Sequence, residues 1–472
     1  MISSVGTSNI EMLLQSYRSL EERPIRRLES QRSTIDNRIS LFSSLKSKLK
    51  TLETLAKNFT YTDSTSIFGS KAVSLSDTSY FTATVTSSAV ATPHTVFVSQ
   101  LAKADKIVSN QYTLEDTDLI TTLGSGTFTF EVTVNGTANQ VSIEIETGDD
   151  NEAILDKIVT AVNNTTDIGI TASIIQDTET TGRLVFTSEE TGADYEMSLS
   201  DITGNLLTTL GMNDSVAMNG TSGGYVYTAS ELNAIVIIDG ITLQRNSNII
   251  ENAIEGITLN LQKVHETGDD PVTLNVTHDT EAIKGKIEEF IEAYNEIINF
   301  IHNNTNVDTT TYKRSALSGD FAISNMKLQL RNLMAEPISG LPEGDPVIFP
   351  DLGITTDRQG RLSISDSDTL EELLEGSLEK VSAFFNSANG ISNRLIDFLD
   401  DYTGGEGIIE KRKDVLQSQI QLINERITRM EQVVDLKIEY YRRQFSQLQT
   451  AYNMFSSQYS SINNLMQSNF IY

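Results

Sequence analysis

Residues 415–466 read VLQSQIQLINERITRMEQVVDLKIEYYRRQFSQLQTAYNMFSSQYSSINNLM. Apolar side chains fall at Leu416, Ile420, Ile423, Ile427, Met430 and Val434, in alternating steps of four and three. The series resumes at Ile438, Tyr441, Phe445, Leu448, Tyr452, Phe455, Tyr459, Ile462 and Met466. That is a heptad seam, and the extra step of four between Val434 and Ile438 is a stutter. The segment holds no Pro, and no Gly follows Gly407, so the pattern predicts one continuous helix. At 1.5 Å per residue, ~55 residues span ~80 Å, too long to fold back into a globule.

A long helix with a narrow apolar seam needs a partner. The sequence offers one at its other end. Leu28, Ile35, Ile39, Phe42, Leu45, Leu49, Leu52, Ala56 and Phe59 make a similar stripe, and Ile10, Leu13, Leu14, Tyr17 and Leu20 a shorter one. Pro24 between them is expected to break or kink the join. The economical arrangement pairs the two ends as a coiled-coil leg; the alternative packs each helix on its own neighbouring domain. The candidate pairing and oligomerisation residues are Ile35, Ile39, Phe42, Leu49 and Leu52, with Ile420, Ile423, Ile427, Met430, Leu448, Phe455 and Ile462. Phe470, Ile471 and Tyr472, together with the Ile10–Leu20 stripe, are expected to form sticky tips.

Between the ends the period changes to two. Strands are expected across 71–107 and 226–278. Inside them, 126–146 predicts a hairpin turning at Asn135-Gly136. A helix from Asp150 to Val162 follows, then strands at Gly169–Ile175 and Arg183–Thr187. This gives an α+β multidomain chain. Its expected domains are a leg helix, 1–68; a β-rich head domain, 69–107 with 226–278; and an inserted outer head with a ββαββ unit, 108–225. A helical or mixed leg domain, 279–410, and the coiled-coil helix, 411–472, complete it. The domains nest like successive hairpins, which predicts both termini at one pole and the middle of the sequence at the other.

Bulk properties exclude several classes. At 472 residues the chain exceeds a single core. No apolar run approaches the ~18 residues of a membrane span. Met1–Thr7 has neither a basic nor an apolar signal region, which by itself predicts a cytoplasmic protein. There is no cysteine, which removes disulfides and thiolate sites. Composition alone favours a cytosolic protein that needs none; the sharper reading is a protein exported unfolded, for which a stray thiol would be a liability. Residues 1–60 carry ten Lys/Arg against six Asp/Glu and 409–472 carry eight against six, so the net charge of −29 leaves −35 in the middle. Such a middle repels nucleic acid and anionic lipid.

Motifs for chemistry are lacking. His94, His265, His278 and His302 are scattered without metal-ligand spacing. No phosphate-binding loop, dinucleotide fingerprint or hydrolase elbow occurs. Asp177–Gly182 opens like a calcium loop, but position twelve is Ser188 rather than Glu, so a hairpin turn is expected. The expectation is a protein that is no enzyme, with no cofactor, no metal and no nucleic-acid or membrane partner.

The chain resembles the flagellar filament cap proteins, the hook-associated protein 2 family. The N-terminal match runs through Glu22-Arg23-Pro24-Ile25-Arg26-Arg27-Leu28-Glu29, Leu45-Lys46-Ser47-Lys48-Leu49 and Val98-Ser99-Gln100-Leu101-Ala102. The C-terminal match takes in Ile238-Asp239-Gly240, Asn248, Gly256-Ile257-Thr258-Leu259, Phe290 and Tyr294-Asn295. It continues through Ser318-Gly319-Asp320, Leu352-Gly353-Ile354-Thr355, Gly360-Arg361-Leu362-Ser363 and the final helix with Phe445. Residues 124–200 resemble the hook-IN unit of flagellins and cap proteins, with Ala161-Val162-Asn163 and Gly169-Ile170-Thr171-Ala172.

The resemblance implies export through the flagellar type III apparatus with a chaperone, which fits a chain without cysteine or signal. It implies a homo-oligomeric ring, commonly a pentamer, at the extracellular filament tip, with helical legs down and globular heads as a plate. Such a cap retains flagellin and promotes its polymerisation. Two alternatives stand beside it: a tip adhesin binding host glycans, and another axial protein such as a hook–filament junction protein.

Overall fold

The computed structural model describes residues 7–63, 65–307 and 313–468. The chain divides into two compact units, one of Met1–Phe68 with Thr280–Tyr472 and the other of Gly69–Asp279. Both chain ends therefore build one helical unit, and the β-rich unit is inserted between them in sequence.

In the helical unit, Ile408–Ser468 is a single helix of 61 residues. Thr7–Glu21 and Arg23–Asn58 are the N-terminal helices. The expected break shrinks to one residue, because Pro24 stands in the first turn of the second helix, where its missing N–H costs nothing. Arg18 pairs with Asp435, Glu21 with Lys437, Arg32 with Asn424 and Lys46 with Glu410. From Arg18–Asp435 through Arg32–Asn424 to Lys46–Glu410 one number rises as the other falls, so the two ends run antiparallel as a helical leg.

The lower half of this pair enters a larger core. Phe42, Leu45, Leu49, Leu52, Ala56 and Phe59 are buried with Ile287, Phe290 and Tyr294 of the helix Thr280–Thr305. Phe384 and Phe385 of Leu378–Asn386 and Leu395 and Leu399 of Ile391–Thr403 close it. Phe59 stacks on Phe385 at 4.5 Å between ring centroids and meets Phe290 edge-on at 5.9 Å. A separate small cluster lies higher on the leg, where Leu14, Ile25 and Leu28 bury Ile427, Val434 and Ile438.

The β unit has two cores. In the first, a five-stranded sheet is ordered Lys71–Leu75, Val272–His278, Pro93–Gln100, Ala234–Ile238, Ile241–Arg245. It shares a core with the three-stranded sheet of Ile249–Ile254, Ile257–Leu261 and Phe81–Val85. The second core forms around the helix Asn151–Asn163, whose Asp150 cap accepts from the Ala153 N–H at 2.8 Å. The hairpin Gly126–Val134 and Thr137–Ile145 turns through Asn135 (φ 46°) and Gly136 (φ 74°). Positive φ at both positions is what a two-residue hairpin turn demands.

The ββαββ order is present, but its strands divide between two sheets. The hairpin takes Ser198–Thr203 as a third strand. Thr181–Thr191 pairs instead with Ile170–Gln176, Tyr112–Thr113 and Ala104–Val108. Ala104 to Ile107 fall within the 69–107 stretch grouped by sequence with 226–278, yet they pair with Thr181–Thr191, placed by sequence in 108–225. Alternation marks a strand but does not name its neighbour.

Candidate assembly stem

The twelve seam residues fall into three environments. Phe42, Leu49 and Leu52 are wholly buried in the helical core, with Ile35 and Ile39 half-buried against it. Ile427 is buried, and Ile423 and Met430 half-buried, against Leu14, Ile25 and Leu28; Ile420 is half-buried between the two. Leu448, Phe455 and Ile462 are 68%, 76% and 52% exposed. The N-terminal half of the stripe thus serves the fold of its own chain, and the distal half stays largely exposed among the described residues.

Beyond Phe445 the seam continues bare through Leu448, Tyr452, Phe455, Tyr459, Ile462 and Met466. The described part of the N-terminal helix begins at Thr7, and its aromatic contacts with the terminal helix are Tyr17 stacked on Tyr441 at 5.2 Å and tilted against Phe445 at 6.4 Å. Ile10 and Leu13 with Phe445, Leu448, Tyr452 and Phe455 line an apolar groove of about 450 Å³. The expected tip residues Phe470, Ile471 and Tyr472 lie outside the described residues.

Charges along the stem set register rather than affinity. Lys437 reaches Glu21 at 2.8 Å, and Arg442 reaches Glu11 at 3.5 Å, mostly between exposed groups. Each such pair contributes under ~1 kcal/mol. Glu53 differs, because it is 5% exposed. Lys50 and Lys57 donate to it at 2.8 and 2.7 Å, and the Thr403 hydroxyl at 3.2 Å. Burial opposes its charge, but the hydrogen bonds from the two lysines outweigh that and hold its carboxyl below the ordinary value.

The motifs that resemble the family turn out to be clamps between segments, a role their sequence did not disclose. The buried Tyr294 hydroxyl donates to the Gly360 carbonyl at 2.9 Å. Asn295 accepts from the Leu362 N–H and donates to the Leu362 carbonyl, both at 2.8 Å. Tyr294-Asn295 and Gly360–Ser363 are therefore the two halves of one lock. Gly353 has φ 72°, and a Cβ there would stand 2.1 Å from the Asp366 carbonyl oxygen. Asp320 caps the helix Phe321–Ala335. Asn248 makes the same double clamp on Ala102, at 2.7 and 3.0 Å. Asp239 (φ 50°) turns one hairpin and accepts from the Thr95 N–H at 2.8 Å.

Among the described residues no group of three or more His, Cys, Asp or Glu is placed to hold a metal ion. Among them, too, no helix is long and apolar enough to cross a membrane. What the helical unit presents is an apolar ladder on an antiparallel stem, the equipment of a self-assembling structural subunit. The model of the flagellar hook-associated protein 2 N-terminus matches residues 7–105, and that of its C-terminus residues 232–457. The chain belongs to the flagellar hook-associated protein 2 family.

Relatives agree along most of the length. The A-type flagellar hook-associated protein 2 of Pseudomonas aeruginosa is 29% identical over 88% of this chain and 85% of its own. The flagellar hook-associated protein 2 of Xenorhabdus nematophila is 26% identical over 98% and 99%. The crystal structure of the flagellar cap protein FliD D1-D2-D3 domains from Escherichia coli superposes with a TM-score of 0.59 at 26% identity. It covers 80% of this chain and 99% of that one. Neither family model extends over residues 106–231, which hold the second β core.

Proposed function

We infer that this chain caps the distal end of a bacterial flagellar filament, outside the cell, where it interacts with flagellin and assembles with copies of itself. The observation that carries the inference is the bare ladder from Leu448 to Met466, in a chain of the hook-associated protein 2 family. An apolar strip on a stiff stem is suited to insertion among helices at a filament end. The mechanism is steric: heads retain incoming flagellin while legs yield and re-engage as each subunit joins. We assign the five-domain division read from sequence to this plan, with the acidic middle as a soluble, self-repelling head surface.

A ring, export by the flagellar type III apparatus and an export chaperone belong to the same reading. Host-glycan adhesion draws no support from the outer head. The large apolar side chains exposed in 108–225 are Ile175, Ile202, Val216 and Met218, with no aromatic among them.

The test is to delete the gene and assay the culture medium for unpolymerised flagellin. Abundant monomer with stunted filaments, reversed by re-expression, is the expected result. Normal filaments with little free flagellin would overturn the reading.

A further inference from the structure

The sequence holds three Asn-Gly pairs, Asn135-Gly136, Asn219-Gly220 and Asn389-Gly390. Glycine after asparagine leaves its own backbone nitrogen unhindered, free to attack the asparagine side-chain carbonyl carbon. The fold decides whether it does so, and it treats the three pairs differently. Gly390 is buried, and its N–H already donates to the Ser387 carbonyl at 2.7 Å. The Asn389 amide donates to the hydroxyl and carbonyl of Ser339 at 3.2 and 3.4 Å. Asn219 is exposed but tied through its main chain. Its N–H donates to the Ser222 carbonyl at 3.2 Å, its carbonyl accepts from the Ser222 N–H at 3.0 Å, and Arg183 donates to the Gly220 carbonyl at 2.6 Å. Asn135 and Gly136 are the exposed turn of their hairpin. Among the described residues no hydrogen bond engages the Asn135 side chain or the Gly136 N–H. Nothing beyond its chain neighbours stands within 4 Å of the place a Gly136 Cβ would take.

We propose that Asn135 is a site of spontaneous deamidation that remodels this turn. The Gly136 nitrogen, its proton lost to hydroxide, forms a bond to the Asn135 Cγ. The Cγ–Nδ2 bond then breaks, and the amide nitrogen takes a proton from water and leaves as ammonia. Water opens the resulting succinimide at one of its two carbonyls. Cleavage of the new Cγ–nitrogen bond gives aspartate, and cleavage of the original peptide bond gives isoaspartate. Isoaspartate routes the main chain through the side-chain methylene and so lengthens it by one atom. A two-residue turn with positive φ at both positions matches the twist of its strands, and the added atom removes that match. The first pair to suffer is Val134 with Thr137. Val134 is buried beside Gly169, whose Cβ would stand 3.5 Å from it, and Asn139 donates to the Asp167 carbonyl at 3.2 Å. The change therefore loosens the contact between two neighbouring turns. Deeper pairs, Phe130 with Val141 and Phe128 with Ile143, keep their register because all four side chains are buried. Neither family model reaches this turn, so the site belongs to the second β core of this chain.

The full chain is aged in warm, mildly alkaline buffer. Each pair is followed by mass spectrometry of proteolytic peptides and by labelling with an isoaspartyl methyltransferase. A hydrogen bond that must open first slows the attack by up to about tenfold. Asn135 is therefore expected to convert at least tenfold faster than Asn219 or Asn389. In urea, where no fold protects any pair, the three rates should converge. Amide exchange at Thr137 and Asn139 should quicken at least tenfold in the aged chain, with exchange at Phe130 and Val141 unchanged. Asn135→Gly, which still suits the turn, should show neither the mass change nor the quickened exchange. An unaltered Asn135, or Asn219 or Asn389 converting as fast in the folded chain, would overturn the assignment. So would the same gap between sites in urea, since sequence and not the fold would then set it. Conversion at Asn135 without faster exchange at Thr137 would refute the remodelled turn.

Discussion

Replacing Leu448, Phe455 and Ile462 together with Asp separates assembly from folding. The three side chains are 68%, 76% and 52% exposed. Surface substitutions of this kind usually change stability by no more than ~0.5 kcal/mol each. Covering a Leu, Phe or Ile fully is worth ~1.5–3 kcal/mol, and roughly two-thirds of that is still uncollected here. Three of them therefore hold about 3 to 6 kcal/mol for whatever covers the ladder. At ~1.4 kcal/mol per tenfold, that is a loss of about a hundredfold to ten-thousandfold in association, before any penalty for burying carboxylates. Helicity and the melting curve should match the parent, while sedimentation shows monomer and the strain leaks flagellin. Leu49→Asp, wholly buried in the core, supplies the contrast, because it should unfold the helical unit outright. Normal oligomers and normal filament growth in the triple variant would refute the reasoning.

Three further outcomes are expected. Asn295→Ala leaves both the N–H and the carbonyl of Leu362 unanswered and should cost about 1 to 3 kcal/mol in urea unfolding followed at 222 nm; a cost near zero would mean the clamp is ornamental. Glu53 contributes stability that is present above its unfolded value near 4.5 and is lost as pH falls through its lower folded value. Glu53→Gln should thus destabilise the helical unit at neutral pH by about 1 kcal/mol and flatten the acid limb of a melting-temperature profile. His265 is buried between Tyr80 at 3.7 Å and Phe97 at 4.5 Å, and its Nδ1 accepts from the Val98 N–H at 3.0 Å. Burial pushes its pKa below 6.5, against the pull of Asp269 and Asp77, so its contribution is full above that value and disappears as pH falls through the folded one. Tyrosine fluorescence, in a chain without Trp, should report the change in acid, and His265→Phe should remove it.

Much of this was legible in the residues. The heptad run gave the terminal helix, and Asn135-Gly136 gave its hairpin, because both are local signals with a single backbone solution. Covering partners were not legible. Phe42, Leu49 and Leu52 share the spacing of Ile427 and Val434, but spacing says only that a face is apolar. It does not say whether Phe290 and Phe385 or another chain will cover it. Pairing of Ala104–Val108 with Thr181–Thr191 joins residues 77 to 87 positions apart, and alternation carries no such address. The lock between Asn295 and Leu362 was invisible for another reason, since one half of it is backbone.

The helical unit is built from the two ends of the chain, with Gly69–Asp279 between them. Phe42, Leu49 and Phe59 cannot find Phe385, Leu395 or Leu416 until nearly all of the polypeptide is available, whereas the β unit needs only its own contiguous segment. Closing so long a loop costs entropy that only the completed core repays. Under the export through a narrow conduit proposed above, this is a timer. The β unit can then fold as it emerges, but the helical unit comes into being only with residues from its C-terminal segment.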